Sequence, residues 1–216
     1  MLEGIPVHLS GLAGAVLADP ILAQAMADAR GGAVRALDLT GPEAMRPYVV
    51  AGLVREGRTV LAVTATSREA EDLVEELGDL VDPALVAYYP SWETLPHERL
   101  SPRSDTVGRR LAVLRRLRHP GDSTDSTTGT PNGPLRVVVA PVRSILQPQV
   151  QGLADLEPVE LATGTTVALE DVVGRLSAAA YSRVDLVEKR GEFAVRGGIV
   201  DVFPPTEEHP LRVEFW

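Results

Sequence analysis

The chain has 216 residues, 44% of them hydrophobic and 24% charged, with a net charge of −9 and only 4% aromatic residues. That length can bury a sizeable core, while the acidic balance argues against a general nucleic-acid-coating role, which needs a concentrated positive field. The absence of cysteine excludes disulfides, thiolate zinc sites and thiol nucleophiles.

At the amino end, Glu3 stands where a secretory leader carries Lys or Arg, and the apolar stretch from Leu12 to Ala18 is too short to span a bilayer. A cytoplasmic protein without membrane contact is expected. The four histidines, His8, His97, His119 and His209, form no metal-ligand spacing.

The first half alternates strand-like and helix-like segments. Val34 to Leu39 reads as a strand, ending in a Thr40-Gly41-Pro42 turn and a helix to about Glu56. A second strand follows over Thr59 to Thr64, then a helix whose N-cap is expected at Ser67, then a third strand from Leu85 to Tyr89. Pro90 to Pro102 is a proline-punctuated loop, Asp105 to Arg118 an amphipathic helix, and residues 120–134 a polar, low-complexity loop expected to be disordered. Leu135 to Ala140 is a β-branched strand. This alternation implies a parallel sheet covered on both faces.

From about Leu146 the pattern changes to a small α+β domain. It comprises a strand at Val159 to Ala162, a helix at Leu169 to Ala180, two paired strands within Glu192 to Phe203, and a last strand from Leu211 to Trp216. The expected division is therefore 1–145 for the α/β domain and 146–216 for the small one.

Three segments invite a chemical reading. Thr40-Gly41 lies where a phosphate loop would lie, but Ala44 and Met45 replace the Lys and the Ser or Thr that nucleotide and magnesium binding need, and Pro42 removes a backbone donor. No ATP binding, no cofactor and no catalytic residue are expected there. Glu93, His97 and Glu98 lack an accompanying nucleophile or oxyanion feature, so their loop reads as structural, with Trp92 packed on the sheet. In the basic helix, Leu111, Leu114 and Leu117 form the expected buried stripe. Arg109, Arg110, Arg115, Arg116 and Arg118 then fall mostly on a solvated face rather than on DNA phosphates.

The most patterned segment is the tail. Gly197-Gly198 suits a two-residue hairpin turn that sets Val195 opposite Val200 and Phe193 opposite Val202 on one face, with Ala194, Arg196, Ile199 and Asp201 on the other. In the last strand Leu211, Val213 and Phe215 alternate with Arg212, Glu214 and Trp216. On the residues alone two readings stand level: Arg212 and Trp216 form an exposed binding surface, or Arg212 pairs with Glu214 and Trp216 packs away.

The run Gly191-Glu192-Phe193, Arg196-Gly197 and Phe203-Pro204, followed by Leu211 to Trp216, resembles a segment shared by the excision-repair helicase UvrB and the transcription-repair coupling factors. Trp92-Glu93-Thr94-Leu95-Pro96 with Ser101-Pro102 and Asp105 is similar to the coupling factors' loop, and the failed phosphate loop also separates the chain from UvrB. The resemblance implies the amino-terminal UvrB-homology region of such a factor: a scaffold domain with a degenerate P-loop at Thr40, Gly41, Ala44 and Met45, then a domain that recruits UvrA to a stalled RNA polymerase in transcription-coupled nucleotide excision repair. It implies UvrA contacts at Arg196, Arg212 and Trp216, the last a departure from the Phe usual there. ATP, magnesium, DNA and RNA polymerase are expected only for downstream domains, including an ATP-dependent translocase motor, of a longer parent. A UvrB-like nucleotide- or DNA-binding domain is the alternative.

Overall fold

The computed structural model describes residues 10–32, 34–94, 102–121 and 133–216. These fall into two compact units, the first reaching Ser91 and resuming at His119 and in the stretch up to Pro148, the second comprising Trp92–Arg118 and Gln149–Trp216. His8, His97, Glu98 and most of the polar loop at 120–134 lie outside the described residues.

The first described elements of this unit are helices α1 (Ser10–Leu17) and α2 (Pro20–Gly31), in a stretch where no helix is expected above. The Asp19 carboxylate accepts hydrogen bonds from Ile21 N (2.9 Å) and Leu22 N (3.2 Å), and Gly32, at φ 64°, closes α2 in the left-handed region. Both helices pack on α3 (Arg46–Arg55), where Gly52 allows close approach: a Cβ there would lie 2.7 Å from Met26 Sδ and 2.8 Å from Leu17 Cδ2.

The sheet holds β1 (Val60–Thr64), β2 (Val86–Tyr88) and β3 (Val137–Pro141), all parallel in the order β1-β3-β2. Central β3 is buried along its whole length, which accounts for its unbroken apolar run. Val137 and Val139 pack with Val50 of α3 and with Ala70, Leu73 and Leu77 of α4 (Ser67–Gly78). Thr66, one residue earlier than expected, caps α4, its hydroxyl accepting from Glu69 N at 3.2 Å.

Two further expectations for this unit fail. The opposite sheet face is not fully covered, since Leu61 and Val63 of β1 remain 55% and 50% exposed. Val34 to Leu39 forms no strand; Val34, Leu37 and Leu39 are exposed, and a 3-10 turn at Glu43–Met45 leads into α3. Apolar content suggests a strand, but a strand needs a neighbour for its backbone groups, and among the described residues β1 pairs only with β3. Thr40, Gly41, Ala44 and Met45 thus lack the strand that places a phosphate loop. A short helix, α6 (Val142–Leu146), follows β3.

The second unit is built on a mixed sheet, β4 (Ser182–Arg183), β5 (Glu192–Arg196), β6 (Ile199–Val202) and β7 (Leu211–Glu214), in sequential order, with only the β4–β5 pair parallel. Val172 and Leu176 of α7 (Leu169–Ala178) pack on Phe193, Val200 and Val202, with Val195, Val213 and Phe215 around them. No strand forms at Val159 to Ala162, although Val159 reaches this core.

Helix α5 (Ser104–Arg118) groups with this unit rather than with the parallel sheet, where the division at residue 145 had put it. Its buried positions are Thr106, Gly108, Arg110 and Val113, not the Leu111, Leu114 and Leu117 stripe, and Leu117 is exposed. Arg110 is fully buried with its guanidinium 4.2 Å from the Trp92 ring centroid. A buried aromatic face accommodates a desolvated guanidinium. The contact shown for Trp92 is thus with Arg110 of α5, within the same unit.

The candidate partner-binding face

Gly197-Gly198 turns the β5–β6 hairpin with positive φ (60°) at the first glycine alone, as a type II′ turn requires. The resulting register is Phe193 with Val202, Ala194 with Asp201, Val195 with Val200 and Arg196 with Ile199. Strand β7 adds Arg212 opposite Asp201 and Val213 opposite Val200. One sheet face therefore holds the apolar core, and the other holds Arg196, Ile199, Asp201, Arg212 and Glu214 together with the buried Ala194.

On that open face Arg212 pairs with Asp201, not with Glu214. Its Nε donates to Oδ1 at 2.7 Å and its Nη2 to Oδ2 at 2.9 Å, a side-on bidentate pair. The hydrogen bond from Arg212 is the main reason the Asp201 carboxyl sits below its usual range, partial burial opposing it and the charges of Arg212 and Arg196 adding to it. The same bond, with the Asp201 charge, raises the Arg212 pKa.

Arg196, one strand further across, donates from Nη2 to the Asp185 carbonyl and lines a hollow with Arg183, Val184, Asp185 and Val195. The loop that supplies Asp185 is tied down by Glu192, whose carboxylate accepts from Glu188 N (2.9 Å) and Lys189 N (2.8 Å). Those two bonds hold Glu192 below its ordinary pKa. Beyond β7, Phe215 N donates to Gly198 O at 2.8 Å, so the ladder extends one residue and Phe215 stays on the core side. Trp216 continues the alternation and is fully exposed.

Arg196 and Arg212 thus share a face with Asp201 between them, and Trp216 stands free at its margin. Asp201 and Asp185 were not singled out from the sequence. Alternation put Asp201 on the correct face, but its partner depends on the β7 register, which the intervening loop leaves open.

Elsewhere, Arg115 Nη1 donates to Leu156 O (3.1 Å) and Arg118 Nε to Asp155 Oδ1 (3.2 Å), so these two arginines hold α5 to the 3-10 turn at Leu153–Asp155. Among the described residues no group of His, Asp or Glu is arranged to hold a metal ion, and no single helix is long and apolar enough to cross a membrane.

Residues 159–216, which contain the whole mixed sheet, match the UvrB interaction domain. The chain is 51% identical over 208 residues to the transcription-repair-coupling factor of Mycobacterium bovis, covering 96% of this chain and 16% of that protein. It is 27% identical over 189 residues to the Bacillus subtilis factor, covering 81% and 15%. It is 29% identical over 187 residues to UvrABC system protein B of Leifsonia xyli, covering 82% and 25%. The chain spans about 16% of the length of the first of these relatives. Through nearly all of its residues the chain is homologous to the transcription-repair-coupling factors, and it corresponds to their amino-terminal, UvrB-homologous region.

Proposed function

We propose that this chain is a non-catalytic interaction module that recruits UvrA in transcription-coupled nucleotide excision repair, using Arg196, Arg212 and Trp216. The observation that carries this reading is the open sheet face itself. It presents two guanidinium groups held in defined positions, with Trp216 next along the same face, the residue types that dominate binding hot spots. The match of residues 159–216 to the UvrB interaction domain supports it.

The arginines would supply charge-assisted hydrogen bonds to carboxylates of UvrA, and Trp216 an apolar anchor. This role needs no cofactor. ATP, magnesium, DNA and RNA polymerase would be engaged by other parts of the parent protein. A DNA-binding role for α5 is less well supported, because Arg110 is buried and Arg115 and Arg118 bond within their own unit.

The test is a titration of purified UvrA against the chain and its Arg212→Glu and Trp216→Ala variants. Each substitution is expected to cost roughly 2 kcal/mol or more in binding. Unchanged affinity in both folded variants overturns the site, and no binding by the unmodified chain overturns the function.

A further inference from the structure

We infer that Asp201 is a positioning residue for partner binding, holding Arg212 in the orientation that a partner carboxylate meets; this rests on the UvrA reading above. The geometry is specific. Asp201 takes the Nε and Nη2 side of the Arg212 guanidinium. A guanidinium has further N–H donors, at its Nη1–Nη2 end, and these can receive a second carboxylate while the first stays bound. Arg212 is therefore built to bridge an internal carboxylate and an external one.

The internal carboxylate is well anchored. Asp201 lies on β6, hydrogen-bonded to strands on both sides, and its side chain is 24% exposed against 61% for Arg212. The flexible partner is thus tied to the rigid one. Immobilising a long side chain is part of the cost of association, and Asp201 removes part of that cost before the partner arrives. Arg196 reaches the same carboxylate electrostatically from β5, so one acidic group lies between the two basic groups of the face.

Charge and position predict opposite outcomes when Asp201 is neutralised. Asp201→Asn makes the face more positive, and Coulomb attraction alone would tighten binding to an acidic partner. Loss of positioning weakens it instead. The expectation is a loss of about tenfold in affinity for UvrA, at an unchanged melting temperature because an exposed pair contributes little stability. Asp201→Glu, which keeps the carboxylate, should recover part of the affinity. Unchanged or tighter binding by a folded Asp201→Asn variant overturns the proposal.

A readout without UvrA separates this proposal from the reading it rests on. In the full chain, the Arg212 Nε–H resonance should be protected from solvent exchange and should lose that protection in Asp201→Asn. Equal exchange in both overturns the positioning role whatever UvrA does. Protection that depends on Asp201, in a chain that fails to bind UvrA, overturns the UvrA reading while leaving the tether established.

Discussion

Gly108 on α5 lies directly against Pro205 in the second unit. A Cβ at residue 108 would lie 2.3 Å from Pro205 Cβ and 3.4 Å from its Cα and carbonyl carbon. A proline ring cannot swing away, so even one methyl group must push the helix off the loop. Gly108→Ala should destabilise this unit by about 1–3 kcal/mol, as overpacking does. Gly174, in the interior of α7, has nothing within 4 Å of the same position. Gly174→Ala should stabilise by about 0.5–1 kcal/mol through helix propensity alone. Thermal unfolding of the two variants, with opposite signs, checks both.

The two tryptophans occupy contrasting environments. Trp92 is partly buried under the Arg110 guanidinium, while Trp216 is fully exposed. Trp216→Phe should leave blue-shifted emission that acrylamide quenches poorly, and Trp92→Phe should leave red-shifted, readily quenched emission. Trp92→Leu should also cost about 2 kcal/mol in stability as the desolvated cation–π stack is lost.

Tyr181 should resist ionisation. Burial first, and the nearby Glu207 charge second, push its pKa up to about 12 from 10.0. The raised folded value means that its contribution to stability is intact below pH 10 and is lost as pH rises towards 12. Absorbance titration at alkaline pH should show one tyrosine ionising well after the unfolded-chain value, and unfolding should merge that step with the others.

Thr66 should matter more than its neighbour. Its hydroxyl caps α4, whereas Ser67 is the first residue inside the helix. Thr66→Ala should destabilise the first unit by about 1 kcal/mol. Ser67→Ala should stay within about 0.5 kcal/mol. Denaturant melts at matched pH distinguish the two positions.

Much of the parallel sheet was legible because periodicity and composition agree there. Val137 to Val139 is β-branched and the apolar run continues through Ala140, as expected of a strand buried on both faces, and Ser67–Gly78 carries a regular apolar stripe. Val34 to Leu39 has similar composition and forms no strand, because pairing depends on a neighbour that local composition does not encode. The buried positions of α5 depart from the expected leucine stripe for a related reason. Arg110 looked solvated by type, yet Trp92, brought against it by the fold, offers a face on which a guanidinium can be buried.

The binding face divides along the same line. By itself, the sequence determined the Phe193–Val202 hairpin and its two faces, because a two-residue turn at Gly197-Gly198 leaves the pairing no freedom. It also determined that Arg212 and Trp216 alternate with Val213 and Phe215. Only the tertiary structure decided that Arg212 faces Asp201 rather than pairing with Glu214, since the chain between Phe203 and Leu211 is long enough to permit several registers. Core packing of Val213 on Val200 selects one, and that selection sets the ion pair on the opposite face.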